Sequence, residues 1–225
     1  DPERAAAHLE SAYPASPNRP ETLAQLASLY RRLGRTDDLE MALKRLVGTY
    51  DDPARRHKVL VELGRLLVQH PGQEGEGRRW LQKALKLRPD DLEALESLGD
   101  SYARADDALR AAKTLGQAAR AAQKDDSAAD QKAADLQRRV ARLWLDDLND
   151  PEQAQMHAQR AADQDPGSEG RPEQSSLMAR ISEARGDDDA AITHWTDVLN
   201  ASPEPRLQAH RRLAALYERR GETER

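Results

Sequence analysis

With 225 residues, 38% of them apolar and 33% charged, and with no phenylalanine, the chain has enough apolar surface for narrow seams between elements and too little for one large core. The net charge is −5, and Lys and Arg are spread among Asp and Glu along the whole length; a nucleic-acid binder needs a concentrated positive field, so no nucleic-acid partner is expected. The absence of cysteine excludes disulfides, thiolate metal sites and cysteine nucleophiles, and leaves the compartment, cytoplasm or periplasm, undetermined.

No apolar run approaches the roughly 20 residues of a membrane span, so membrane insertion is not expected. No signal peptide opens the chain, and its abrupt start on helix-opening residues reads as a fragment of a longer protein. Ala, Leu, Arg, Gln and Glu dominate, all good helix formers. Val, Ile and Thr are few and never alternate with period two, which leaves strands without support.

The first element, "DPERAAAHLESA", is written again as "DPEQAQMHAQRA" at Asp150 to Ala161, with Asp1 over Asp150 and His8 over His157. Asp is an N-cap, Pro suits the first helical position, and Glu favours the positive end of the helix dipole. Residues 1–17 are read as one helix with Ala5, Leu9, Ala12 and Pro17 inward. Next, "LAQLASLYRRLGR" sets Leu23, Leu26, Ala27 and Tyr30 on one face before Gly34, followed by Leu39, Leu43 and Leu46 on a second helix. In "LVELGRLLV" the equivalents are Leu60, Leu63, Gly64 and Leu67, then Gly77, Leu81, Ala84 and Pro89, with one residue inserted in the turn "PGQEGEG", read as a loose interhelix turn. The stretch from Leu95 gives Leu98, Gly99 and Tyr102, a polar break at Asp106 and Asp107, then Ala111, Leu115 and Ala118.

About eight extra residues follow around Asp126 to Ala133; "SAADQKAADLQRR" contains no breaker, so they are expected to lengthen a helix. Val140, Ala141 and Trp144 continue the pattern, then Ala154, Ala158, Ala161 and Pro166, again with one insertion. "GSEGRP" leads to Met178, Ala179 and Gly186, with Ser182 where an aromatic is usual, then Ala191, Trp195, Val198 and Pro203. Last come His210, Leu213, Ala214, Tyr217 and Gly221.

This recurrence resembles the tetratricopeptide repeat, W-x2-L-G-x2-Y, then A-x3-F-x2-A, then P, with a period of about 34 residues. The resemblance covers nearly the whole chain. It implies an all-α fold, a right-handed superhelix of about twelve antiparallel helices in a single array: a second helix at 1–17, repeats at 20–53, 57–91, 92–125, 134–168 and 172–205, and a first helix at 207–225. Each pair has one apolar stripe too narrow to be stable alone, so stacking completes the burial.

Chemistry finds little footing. The six histidines are isolated, with no HExxH or paired spacing, so no metal and no cofactor is expected. "GDDDAA" at Gly186 lacks the alternating ligands and distal Glu of a calcium loop, and its acids suit a helix start. "PGQEGEG" lacks the Lys-Ser/Thr of a phosphate loop. Serines lie in no nucleophile context, and Trp144 and Trp195 occupy large-apolar positions, with Trp80 one residue off. The expectation is that the chain is not an enzyme.

In proteins of the resembled family, first helices line a concave groove that holds a partner segment, through positions two and six residues before the Tyr position. Carried over, these are Ser28, Arg65, Asp100, Arg142, Arg180 and Ala215, with Ala24, Val61, Glu96, Arg138, Ser176 and Arg211. Arg65, Arg138, Arg142, Arg180 and Arg211 suit carboxylates, and Glu96 and Asp100 interrupt the line. Solvated charges on exposed faces are the plain alternative. No Asn occupies these positions, which separates the chain from repeats that clamp the EEVD tail of chaperones. The leading expectation is a protein-interaction scaffold of a bacterial kind binding a protein or peptide through an acidic segment. The alternatives are a regulatory region gating an adjacent catalytic or signalling domain, and RNA reading by helical repeats. The open ends suggest head-to-tail self-association.

Overall fold

The structure, a computed structural model, describes residues 1–12, 19–123, 127–168, 171–201 and 206–221. Pro17, Asp126, Pro203 and part of "GSEGRP" lie outside them. Among the described residues there are twelve α-helices and no strand: α1 (Pro2–Ala12), α2 (Pro20–Leu33), α3 (Thr36–Thr49), α4 (Pro53–Leu67), α5 (Glu74–Leu87), α6 (Leu92–Ala103), α7 (Ala108–Ala122), α8 (Ser127–Arg142), α9 (Pro151–Gln164), α10 (Pro172–Arg185), α11 (Asp188–Ala201) and α12 (Arg206–Arg219). Even-numbered helices are the first helices of the pairs and odd-numbered ones the second. The chain forms two compact units, Asp1–Ser101 and Tyr102–Arg225.

Local chemistry sets the helix starts. Asp52 Oδ2 accepts from Arg55 N at 2.9 Å ahead of Pro53, and Asp150 Oδ1 accepts from Gln153 N at 3.0 Å ahead of Pro151. The Asp-Pro pair is thus a cap followed by a residue that needs no donor. It moves the start of α4 to Pro53, ahead of residue 57 where the template begins that repeat. A left-handed residue stands in each turn after a first helix, Gly34, Gly72, Asp106, Asn149, Gly186 and Gly221, and Gly34 and Gly186 are themselves the C-caps of α2 and α10. Two of the six are not glycine, and both are residue types whose short polar side chains tolerate that conformation.

The two insertions are absorbed differently. In the fourth pair, α8 runs into a π-helical turn over Leu143–Asp147, closed by Leu148 N to Leu143 O at 3.1 Å. A π turn takes up one extra residue without breaking the helix. In the second pair, "PGQEGEG" is only half a turn, because α5 begins at Glu74 and includes Gly75 and Gly77. The loose-turn expectation therefore fails for its second half. Packing explains why: a Cβ on Gly77 would stand 2.6 Å from Val68 N and one on Gly64 2.6 Å from Leu81 Cγ, so both glycines permit close contact between α4 and α5. α8 runs unbroken for 16 residues from Ser127, so the described part of the extra segment is helical.

Each unit buries its stripes between consecutive helices. In the first, Leu23, Leu26, Ala27 and Tyr30 of α2 join Leu39, Leu43 and Leu46 of α3 and Leu63 and Leu67 of α4 in one cluster, with Leu9 and Trp80 at its edge. In the second, Ala154 and Ala158 of α9 pack with Ala141, Leu177 and Ile181 beside Trp144, and Trp195 is fully buried among Ala179, Val198, Ala209 and Leu216. Two expectations shift by one residue. Ala6, rather than Ala5, is buried in α1, which packs mainly on α2, while its sequence twin α9 packs on both α8 and α10. In α12, packed on α11, the inward residues are Ala209, Leu213 and Leu216, and His210 and Ala214 are exposed.

Candidate functional site

Each unit opens a cleft between successive first helices. In the first, a cleft of ≈ 550 Å³ is bounded by Arg31 of α2, by Lys58, Val61, Glu62 and Arg65 of α4, and by Glu93 of α6, with Arg88 and Asp91 at the joint before α6. In the second, a cleft of ≈ 390 Å³ lies between α8 and α10. Asp135, Arg138, Arg139 and Arg142 face Arg171, Glu173 and Gln174 across it.

The helical repeat puts charges one repeat apart beside each other, and many pair. Arg31 of α2 pairs with Glu62 of α4, and Arg65 of α4 with Glu93 of α6. Arg180 of α10 pairs with Asp146 of the π turn, and Arg212 of α12 lies 3.2 Å from Glu183 of α10. The acids of "GDDDAA" start α11 as expected: Asp187 caps Ala190 N at 3.0 Å, and Asp188 and Asp189 pair with Arg219 and Arg220 at 2.7 and 2.5 Å. These exposed bridges brace neighbouring repeats, each contributing at most about 1 kcal/mol.

The residues singled out from the sequence separate into distinct environments. Arg65 lines the first cleft, half-exposed and paired. Glu96 and Asp100 sit half-buried on α6. Arg138 is only 7% exposed, and its guanidinium donates to Asp135 Oδ1 at 2.5 Å, Asp165 Oδ2 at 3.2 Å and Gln174 Oε1 at 3.2 Å. Gln174 in turn donates to Ala158 O at 3.0 Å, so Arg138 ties α8 to α9 and α10. Arg142, one turn on, is exposed at the cleft with no ion-pair partner among the described residues. Arg180 is half-buried and paired, and Arg211 is exposed on α12.

The structure adds lining residues that the template positions did not point to. Arg88 and Arg171 stand at the joints between repeats, outside the mid-helix positions carried over from the resemblance. Lys58 is one residue from His57, whose side chain forms part of the first cleft's wall. Burial pushes the His57 imidazole below its ordinary value, Arg88 adds to the push, and Asp91 opposes both.

No protein-family model matches the chain, and no curated protein matches it. Solved structures are similar in fold. The crystal structure of MamA protein superposes with a TM-score of 0.59 at 16% identity, over 92% of this chain and 96% of that one. A tetratricopeptide repeat protein from Parabacteroides merdae gives 0.64 at 15% identity, over 90% and 74%. A chain of the APC/C hetero-tetramer Cut9-Hcn1 gives 0.52 at 16% identity, over 96% of this chain and 39% of that one. The fold is the tetratricopeptide-repeat fold. At these identities the likeness is one of backbone architecture. Among the described residues no helix of the tetratricopeptide array is long and apolar enough to cross a membrane, and no three His, Asp or Glu side chains converge as a metal site.

Proposed function

We propose that this chain is a protein-interaction scaffold without catalytic activity, whose first helices receive an acidic segment of a partner protein. The observation that carries the reading is the lining of the cleft between α8 and α10, which includes four arginines and two carboxylates. The Arg138 guanidinium is internally engaged, and Arg142 stands exposed at the rim. Arginine's planar fork suits carboxylates, and a cleft flanked by helices lowers the screening that weakens such pairs on open surface. The Cut9-Hcn1 hetero-tetramer, a complex containing a chain of similar fold, supports an interaction role.

Arg142 is the residue to test, because Arg138 holds the helices together and its loss would perturb folding. Fluorescence anisotropy with a labelled tetraglutamate peptide at low ionic strength should show saturable binding that Arg142→Glu weakens by about tenfold with helicity unchanged. Unaltered affinity in that variant would remove the acidic-segment reading.

A further inference from the structure

The first unit's cleft holds a buried imidazole that makes no hydrogen bond among the described residues. The His57 side chain is 3% exposed, neither ring nitrogen has a hydrogen-bond partner among the described residues, and Nε2 stands 3.5 Å from Asp91 Oδ2. Buried polar groups are almost always satisfied, so an orphan at the wall of an open cleft calls for a role. Two cations share that wall, Lys58 and Arg88. Both are exposed, and neither has an ion-pair partner among the described residues. The other two cations of the cleft, Arg31 and Arg65, are already paired to Glu62 and Glu93.

We propose that the cleft bounded by α2, α4 and α6 is a carboxylate-binding site in which Lys58 and Arg88 hold the anion and His57 takes up a proton from solvent as it binds. The inference rests on the reading that first-helix faces receive an acidic partner segment, and names a second site and its control. Its logic is electrostatic. Burial and Arg88 push the ring towards its neutral form, against the pull of Asp91. A carboxylate seated on Arg88 cancels the cation that opposes protonation and adds a negative charge to the wall that His57 shares with Asp91, and both changes favour the imidazolium. The remaining neighbours leave that balance in place. α5 meets α4 through Gly77 and Leu81, α3 contributes Leu39, and the other charges of α2, α4 and α6 in the cleft are the two ion pairs above. Binding then strengthens as pH falls from neutrality, until the ligand's own carboxylates begin to protonate near about pH 4.

The test follows the His57 Cε1–H resonance while tetraglutamate is titrated into the whole chain. The expected result is a rise of about one unit in the His57 midpoint on saturation and affinity about threefold tighter at pH 5.5 than at pH 7.5. Lys58→Ala with Arg88→Ala, both exposed positions, should abolish the response at His57. His57→Gln should retain binding, with calorimetry in buffers of different ionisation enthalpy showing the proton uptake lost. A His57 midpoint unmoved at saturation, or a response undiminished in the double variant, overturns the proposal. If Arg142→Glu still weakens total binding in that case, the scaffold reading stands without it. If tetraglutamate does not bind at all, both fall.

Discussion

His157 Nδ1 stands 2.6 Å from Gln137 Oε1 across the seam between α9 and α8, both side chains buried. The amide oxygen can only accept, so Nδ1 carries the proton and donates. The sequence twin of this histidine, His8, is exposed on α1. One written helix therefore yields two histidines of different character, according to what lies across from it.

That difference has a pH signature. Burial, with Arg160 and Arg120 adding, pushes His157 down to about 4. The unfolded chain, with an ordinary value near about 6.5, binds more protons throughout the interval between. Stability is fully present above the unfolded value and is lost as pH falls towards the folded one. From pH 7.5 to pH 5 the loss from this residue should be about 2 kcal/mol. Urea denaturation at the two pH values checks this, and His157→Gln should remove that part of the slope. His57, pushed the same way, adds to the effect in the native chain.

Gly77→Ala should destabilise by about 1 to 3 kcal/mol. Its Cβ would meet backbone, Val68 N at 2.6 Å and Gly64 O at 2.9 Å, which cannot swing aside as a side chain can. Gly48→Ala, on α3 with nothing within 4 Å, is the control and should be neutral or slightly stabilising. Thermal melts of the two variants side by side read the difference.

Gly186→Ala isolates backbone conformation from packing. The residue has φ +74° and open space around it, so the cost is that of a left-handed residue with a Cβ, about 1 kcal/mol. Asn149→Gly, at φ +50°, relaxes the same kind of constraint and should leave stability unchanged or raise it by up to about 0.5 kcal/mol. Chemical denaturation midpoints at constant slope measure both.

Arg138→Ala and Arg142→Ala should part company. Removing Arg138 leaves the buried Gln174 without its donor to Oε1 and takes one cation from Asp165, which keeps Arg171 at 3.1 Å. The expected loss is about 2 to 3 kcal/mol. Arg142, exposed and unpaired among the described residues, should cost less than about 0.5 kcal/mol. Equal destabilisation of the two would show that Arg142 also bears structure.

The sequence by itself determined much of what acts within a turn or two of helix: helical periodicity without strand alternation, the Asp-Pro starts of α1 and α9, most of the recurring Leu, Ala and Tyr stripes, and the polar start of α11. Capping and apolar periodicity are local forces, so their residues show them directly. Tertiary structure decided what depends on the neighbour across a seam. Arg138 and Arg142 lie one turn apart on α8, yet one is locked in a network with α9 and α10 and the other faces solvent. The inserted residue of the fourth pair became a π turn, and Arg88 and Arg171 reached the clefts from the joints. Burial and charge pairing are set by side chains about one repeat away, and a linear pattern names those partners only once the helices are stacked.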